Sequence, residues 1–524
     1  MLFNSYIFIF LFFPLCMLGY YGLKNKSAVA AKIWLIGFSL WFYGYFNIRY
    51  LCIMIFSIFI NYGVYQLLIR TGADENAQMG NLTETAAKIN KKKIVLFTGV
   101  SANLLLLFYF KYFDFFIENI NTAFGSSLPL HKILLPLGIS FFTFQQISFL
   151  ADTYRGELKD CHFIDYALFV SFFPQLIAGP IVTHEEMLPQ FEDIGKKKFD
   201  EDRFCRGLFI FVLGMGKKVL IADTFGIAVD AGYSMTVQLG SIDAVLVMLF
   251  YTLQLYFDFS GYCDMAIGIG KMMGIEIPIN FNSPYKACNI IDFWKRWHMT
   301  LSRFFTKNIY IPLGGNRKGN VRMYANLFFV FFLSGIWHGA GWNYILWGVM
   351  HGVLYCMTRW MQLNCRKEEI TVETSSESGM EKRISDKLAF GALRTIKVFA
   401  TFLYVNIAWV FFRSTSITQA LALFKRMITG GIAPVNEAIY DAFNLDEFWY
   451  VMKVLHLTDF SISNYILMVL FTVVILVVTF FGKNVHELAE KWKMSWISAI
   501  VLAIVFIWCV VSLSGVSTFL YFNF

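Results

Sequence analysis

The stretch Tyr324-Ala325-Asn326-Leu327-Phe328-Phe329-Val330-Phe331-Phe332-Leu333-Ser334-Gly335-Ile336-Trp337-His338-Gly339-Ala340-Gly341-Trp342 decides how this chain is read. An apolar run, Tyr324–Ile336, reaches a Trp-His pair, Gly339-Ala340-Gly341 interrupts helix continuity, and a second apolar run, Tyr344–Trp360, returns. The pattern predicts an apolar helix that turns back on itself, with His338 at the helix break, deep in the bilayer rather than at a loop tip. An ionisable side chain at membrane depth is rare and is read as functional by default. Gly335 and Gly339, and again Gly348 and Gly352, have the small-xxx-small spacing that lets helix backbones approach closely. Such packing would hold His338 rigid, as a general base must be held. A core histidine satisfied by one neighbour is the plainer alternative. His351, in Met350-His351-Gly352, reads as structural.

Composition supports lipid as the solvent. Of 524 residues, 57% are hydrophobic, 19% aromatic and only 15% charged; a soluble chain carries about 25% charged residues. The mean hydropathy is +0.56. A net charge of +8 suits basic cytoplasmic loops, and no polar domain interleaves Lys/Arg with aromatics as a nucleic-acid surface would. The 9 cysteines are scattered without a Cys-x-x-Cys pair, so they read as small buried hydrophobes, with no metal site expected. Met1–Gly22 lacks a basic start and a small-residue cleavage site, and reads as a retained first span.

A helical span needs about 20 apolar residues. Candidates are Leu2–Leu23, Ile33–Asn47, Leu51–Ile69, Ile94–Phe116, Lys132–Leu150, Gly207–Asp230, Ala244–Gly270, Tyr324–Ile336, Tyr344–Trp360, Leu388–Phe412, Tyr465–Phe481 and Trp496–Ser514. The expectation is an all-α, multi-pass membrane protein, residues 1–524 forming one transmembrane domain, with about 11–12 spans. Phe172–Pro180 is apolar but contains Pro174 and ends on Pro180, so it reads as re-entrant or interfacial. Basic loops at Lys24–Lys32, Lys88–Lys93, Lys196–Lys198, Arg317–Arg322, Arg366–Lys387 and Lys483–Lys493 are placed inside. Residues 361–387 then form a cytoplasmic loop, polar and mobile over Thr371–Asp386. Residues 414–463 form an extracytoplasmic segment, and both termini lie outside. No internal repeat supports an inverted-repeat transporter.

Asn289–Phe305 has the period of an amphipathic helix. Ile290, Trp294, Trp297, Leu301, Phe304 and Phe305 make an apolar stripe opposite Asp292, Lys295, Arg296 and Arg303. Such a helix lies along the inner membrane face, with His298 at the edge of its apolar stripe. His298 either anchors the helix through a backbone carbonyl or acts directly. Lys295, Arg296 and Arg303 are candidates to receive a polyanion such as nucleotide phosphates, although topology alone also accounts for them. Asp258 and Asp264 fall in an apolar span and need partners, either a histidine or an arginine.

These motifs together resemble the membrane-bound O-acyltransferases, and within them the bacterial alginate O-acetyltransferase type. The likeness runs through Phe173–Pro180, Tyr256–Tyr262, Asn280–Tyr285, Phe293–His298, Tyr310–Asn316, Trp337–Ala340 and the terminal Phe519–Phe524. The resemblance implies a helical ring around a thinned centre, with a funnel from each face meeting near His338. His338 would be the near-invariant family histidine and His298 the second histidine of the polymer-modifying members. No cofactor would be tightly bound; acetyl-CoA would be the cytoplasmic donor. The acetyl group would pass to an extracytoplasmic protein of the SGNH-hydrolase type, which esterifies a polysaccharide outside the bacterial inner membrane. D-alanyl transfer to teichoic acid from a carrier-protein thioester is the rival within the family. A transporter or flippase for lipid-linked sugars is the rival outside it. A partner needs a docking face, and the residues 414–463 offer Phe443, Phe448, Trp449 and Tyr450 among acidic residues.

Overall fold

Ser27, Asp200, Ser416, Asn484 and Ser495 each open a helix by accepting a backbone N–H in its first turn. These caps satisfy donors that a helix start leaves open, and they punctuate a chain that is otherwise apolar for long stretches. The structure is a computed structural model. It describes residues 1–73, 82–158, 160–372, 380–444, 453–454, 456, 463–515 and 519–520. Among these residues every regular element is helical.

The order begins with α1 (Phe13–Lys24), α2 (Ala28–Gly44), α3 (Ile48–Ala73), α4 (Leu82–Lys111), α5 (Phe113–Phe124) and α6 (Ile139–Arg155). Shorter pieces follow: α7 (Phe163–Ser171), α8 (Phe173–Leu176) and α9 (His184–Glu192). Next come α10 (Glu201–Gly216), a π-helical segment (Lys217–Ala222), α11 (Asp223–Ser234) and the long α12 (Ser241–Met272). The site helices are α13 (Ile290–Trp294), α14 (Met299–Phe305), α15 (Asn320–His338) and α16 (Trp342–Val372). The chain closes with α17 (Met380–Arg413), α18 (Ile417–Thr429), α19 (Glu437–Tyr440), α20 (Ser463–Phe481), α21 (Val485–Lys491) and α22 (Trp496–Val511).

Among the described residues, five helical stretches are long and apolar enough to cross a membrane unaided: Ile48–Thr71, Lys91–Lys111, Ser241–Met272, Gly391–Arg413 and Ser463–Phe481. Phe8–Lys24, Ala28–Gly44 and Trp496–Val511 are apolar but shorter. Other expected spans are interrupted. The span expected at Lys132–Leu150 becomes helical only at Ile139, and the one at Gly207–Asp230 is divided by the π-helical turn. Helical backbone also runs to Val372 and resumes at Met380, across most of the loop expected at 361–387. The straight-chain residues there favour helix; residues 373–379 lie outside the described residues.

Hydrogen bonds sort the connections into two faces. Lys197 reaches the Gly274 carbonyl at 3.1 Å, Arg203 pairs with Glu276 at 2.8 Å, and Arg206 reaches the Ala489 carbonyl at 2.6 Å. Lys286 donates to the Gly482 carbonyl, and Asn484 donates to Asn282 at 3.0 Å. These contacts gather the connections around residues 197–206, 274–286 and 482–489 on one face. Across the molecule, Arg413 pairs with Asp230 at 2.6 Å, Ser241 N–H donates to the Gly431 carbonyl at 3.0 Å, and Asn343 reaches the Ser414 carbonyl at 2.8 Å.

Two glycine seams bring helix axes together. A side chain at Gly214 would meet the Gly261 carbonyl at 2.8 Å, where α10 crosses α12, and one at Gly348 would meet the Phe331 carbonyl at 2.5 Å, where α16 crosses α15. The functional pairing is therefore across the hairpin, Gly335 against Gly348, rather than along one helix. Around the short α8 the irregular backbone is satisfied by side chains. Phe173 N–H donates to Ser39 Oγ at 3.1 Å, and Ile181 N–H donates to Thr300 Oγ1 at 3.0 Å. Non-helical backbone in an apolar surround requires such partners, which is how the proline-bounded segment can be fully buried.

Candidate active site

His338 is the last residue of α15, and Gly339-Ala340-Gly341 turns the chain into α16. The helix breaks where expected, but the break is the tip of a tight hairpin and not a site remote from a loop tip. Ala340 is exposed while His338 is only 3% exposed. The ring is enclosed by Trp337 at 4.8 Å, Trp347 at 5.0 Å and Phe412 at 5.1 Å between centroids, all edge-on. Tyr344 fills the space over Gly339, where a Cβ would come within 2.2 Å of its ring. Aromatic edges and faces on several sides leave the imidazole little freedom to turn.

His298 corrects the expectation of one amphipathic helix over Asn289–Phe305. The chain leaves helix after Trp294, and His298 adopts φ 45°, ψ 52° before α14 begins. A left-handed non-glycine residue is uncommon and costs of order 1–3 kcal/mol, so surrounding structure must hold it. Asn280 does much of this. Its backbone carbonyl accepts from Met299 N–H at 3.0 Å. Its side-chain Oδ1 accepts from Thr300 N–H at 3.2 Å and Thr300 Oγ1 at 2.9 Å, and faces His298 Nδ1 at 3.2 Å. Because Oδ1 is an acceptor, Nδ1 carries the proton and Nε2 holds the lone pair of the uncharged ring. His298 is fully buried against Phe259, with centroids 4.9 Å apart.

Trp337 brings the two histidines to one place. Its ring lies 4.8 Å from His338 and 6.3 Å from His298, and it stacks on Phe144 at 5.2 Å. His351 lies behind this group. Its Nδ1 accepts from Trp294 Nε1 at 3.3 Å, and its ring meets Trp347 at 4.8 Å.

A cavity of about 930 Å³ is lined by Trp294, Lys295, Thr300, Arg303, Ser334 and Arg359 among others. Ser334 lies one helical turn before His338 on α15, and Thr300 is the partner of Asn280, so the cavity reaches the wall behind which both histidines lie. The three cations singled out from sequence differ here. Arg303 grips Glu186, with Nη2–Oε2 at 2.9 Å, and Arg296 pairs with Asp292 at 2.8 Å. Lys295 lines the cavity without an ion pair among the described residues, as does Arg359, which sequence reading missed. Lys307, also in the lining, is engaged by Asp152 at 3.0 Å and Glu157 at 2.7 Å.

Asp258 and Asp264 take lysines as partners, not arginine. Lys217 and Lys218, adjacent in the π-helical turn, reach Asp264 and Asp258 respectively at 2.6 Å. Lys218 also meets Asp223 at 2.8 Å, and His486 Nε2 meets Asp264 at 3.0 Å. Phe443, expected as an exposed anchor, is 3% exposed and packs on Phe225 and Phe250. Phe448, Trp449 and Tyr450 lie outside the described residues.

The fold and the site define a polytopic helical membrane protein with two histidines enclosed by aromatics behind the wall of a large cavity. The chain belongs to the membrane-bound O-acyltransferase family, which it matches over residues 38–377. A protein of Helicobacter pylori named peptidoglycan O-acetyltransferase is 39% identical, the alignment covering 100% of this chain and 98% of that protein. A Pseudomonas aeruginosa protein named probable alginate O-acetylase AlgI is 37% identical over 83% of this chain and 76% of its own length. A Bacillus subtilis protein named teichoic acid D-alanyltransferase is 32% identical over 43% of this chain and 59% of its own length. The chain is thus an O-acyltransferase by family, with relatives named for O-acetylation aligning over most of its length.

Proposed function

We propose that this chain takes an acetyl group from a thioester, acetyl-CoA, on the cytoplasmic side of the bacterial inner membrane. It hands the group to a hydroxyl on an extracytoplasmic SGNH-type partner, for O-acetylation of a cell-wall or surface polysaccharide. Peptidoglycan is the first polymer to test, since the relative of that name aligns along the whole chain. The observation that carries the reading is the cavity: it is lined by Lys295 and Arg359, neither in an ion pair among the described residues, and by Ser334, one helical turn before His338. Its cationic side belongs to the Lys/Arg-rich face, which the positive-inside rule places in the cytoplasm.

The chemistry needs a base and alignment. The hydroxyl oxygen attacks the thioester carbonyl carbon while His338 removes its proton; the carbon–sulfur bond then breaks, and the histidine returns the proton to the departing thiolate. Ester and free thiol are the products, and no other reactant is consumed. General-base help contributes about 10²–10⁴-fold, and holding both reactants in line supplies much of the rest. Lys295 and Arg359 would meet donor phosphates, and the Nε2 lone pair of His298 faces the same aromatic core as a second proton-handling group.

The test is purified protein with radiolabelled acetyl-CoA and polysaccharide, with and without the SGNH-type protein, beside a D-alanyl carrier-protein thioester. Label in the polymer only when acetyl-CoA and the partner are both present supports the proposal. Transfer from the carrier thioester alone would favour D-alanylation, and full-rate polymer acetylation without a partner would place the acceptor site in this chain.

A further inference from the structure

The C-terminus of α15 is left open by its own sequence. A helix end exposes four carbonyls, commonly closed by a left-handed residue just past the helix. Gly339 does not do this; it is extended, at φ −167° and ψ 156°. The closure comes from another element, the elbow between α4 and α5. Tyr112 Oη donates to the Ile336 carbonyl at 2.9 Å. Lys111 Nζ donates to the Trp337 carbonyl at 2.5 Å and to the His338 carbonyl at 3.2 Å, and lies 5.7 Å from the Trp337 ring centroid. Lys111 has no carboxylate partner among the described residues, and the carbonyls it meets form the negative end of the α15 dipole.

The same elbow holds the other limb of the hairpin. Trp342 Nε1 donates to Asn119 Oδ1 on α5 at 2.9 Å, and Phe115 packs on the Trp342 ring at 6.0 Å. Residues on α4 and α5 therefore grip the last carbonyls of α15 and the first residue of α16. His338 lies between those two grips.

We propose that Lys111 is a positioning residue for acyl transfer, setting the place of the His338 imidazole by binding the carbonyls of Trp337 and His338. It rests on His338 being the base. Loss of the clamp lets the last turn of α15 fray, and the imidazole no longer meets the reacting hydroxyl in line. A misplacement of about 1 Å costs about 10²-fold in rate. The donor cavity, lined from the other side by Lys295 and Arg359, is untouched.

The experiment compares Lys111→Met, Lys111→Arg, Tyr112→Phe and His338→Ala in full-length protein, with initial rates per folded molecule across a range of acetyl-CoA. Lys111→Met should lower kcat by about 10²-fold with KM for acetyl-CoA unchanged within about twofold, and Lys111→Arg should restore at least about tenfold of that loss. A Lys111→Met kcat within about threefold of wild type, or a loss that only follows the amount of folded protein and is shared by Lys111→Arg, overturns the proposal. If Lys111→Met does not accumulate, Tyr112→Phe decides. A kcat lowered at least about threefold at constant KM supports the clamp, and wild-type kcat overturns it. An active His338→Ala would sink the base itself. An inactive His338→Ala beside an active Lys111→Met would sink only the clamp.

Discussion

Two polar regions are buried in this apolar protein, and they are built in opposite ways. Around Lys217 and Lys218 the carboxylates meet lysines, Asp264 and Asp258 at 2.6 Å and Asp223 at 2.8 Å, and His486 Nε2 lies 3.0 Å from Asp264. Around His338 and His298 the walls are aromatic rings, and Asn280 Oδ1 faces His298 Nδ1. The first arrangement neutralises charge by pairing and fixes α10, α11 and α12 against one another. The second surrounds basic nitrogens with aromatic rings. The π-helical turn makes the first possible, since it lets adjacent lysines address carboxylates at different heights on α12. The left-handed His298 serves the second, turning one side chain out of the path of its own helix.

If that contrast is right, the two regions should fail differently. The largest effect is expected at His338→Ala: acetyl transfer falls by at least about 10²-fold while membrane abundance stays at wild type. Polymer acetylation measured beside immunoblotted membranes checks this, and more than a tenth of wild-type activity would remove His338 as base. Lys218→Met should do the reverse. It strands two buried carboxylates and is expected to destabilise by about 3–5 kcal/mol, read as a lowered melting temperature in detergent. Adding Asp258→Leu and Asp223→Leu should recover part of that loss; no recovery would mean the cluster is more than a charge pair. Asn280→Ala removes the acceptor that orients His298, a bond worth about 1 kcal/mol or slightly more, so kcat should drop about five- to tenfold. An unchanged kcat would show that His298 needs no fixed tautomer. The smallest effects are expected at Lys295→Ala and Arg359→Ala. Each should raise KM for the thioester a few-fold at constant kcat, as for loss of binding shared by ground and transition states, and arginine or lysine exchanges should restore most of it.

The sequence disclosed the hairpin at His338 because its signals are local: an apolar run, Gly339-Ala340-Gly341, then a second apolar run. It also disclosed that Phe172–Pro180 would not be a continuous span; the segment holds only the four-residue α8 with Pro174 in its first turn. His298 was misplaced because the apolar period of Asn289–Phe305 continues unbroken through it; the turn is imposed by Asn280, a distant loop residue quoted only as part of a motif. Lys111 was overlooked because it is one cation in an apolar run and its partners are backbone carbonyls of another helix, which no side-chain pattern announces. Lys217 and Lys218 were read over inside an expected span for the same reason, although two adjacent lysines beside Asp223 were a visible sign. Arg359, on a returning helix, became a candidate only once α16 was seen to face the cavity that also holds Lys295.

The seam at Gly335 and Gly348 bears on how the protein is made. A pair of helices joined by so short a turn, with backbones close enough that a Cβ at Gly335 would lie 2.5 Å from the Tyr344 carbonyl, is suited to leave the translocon as a single unit. Inserted that way, the imidazole of His338 would enter the bilayer already shielded by Trp347 from the returning limb. A bulky residue at Gly348 would then show itself first as a defect of insertion, visible during biogenesis, before any catalytic measurement was made.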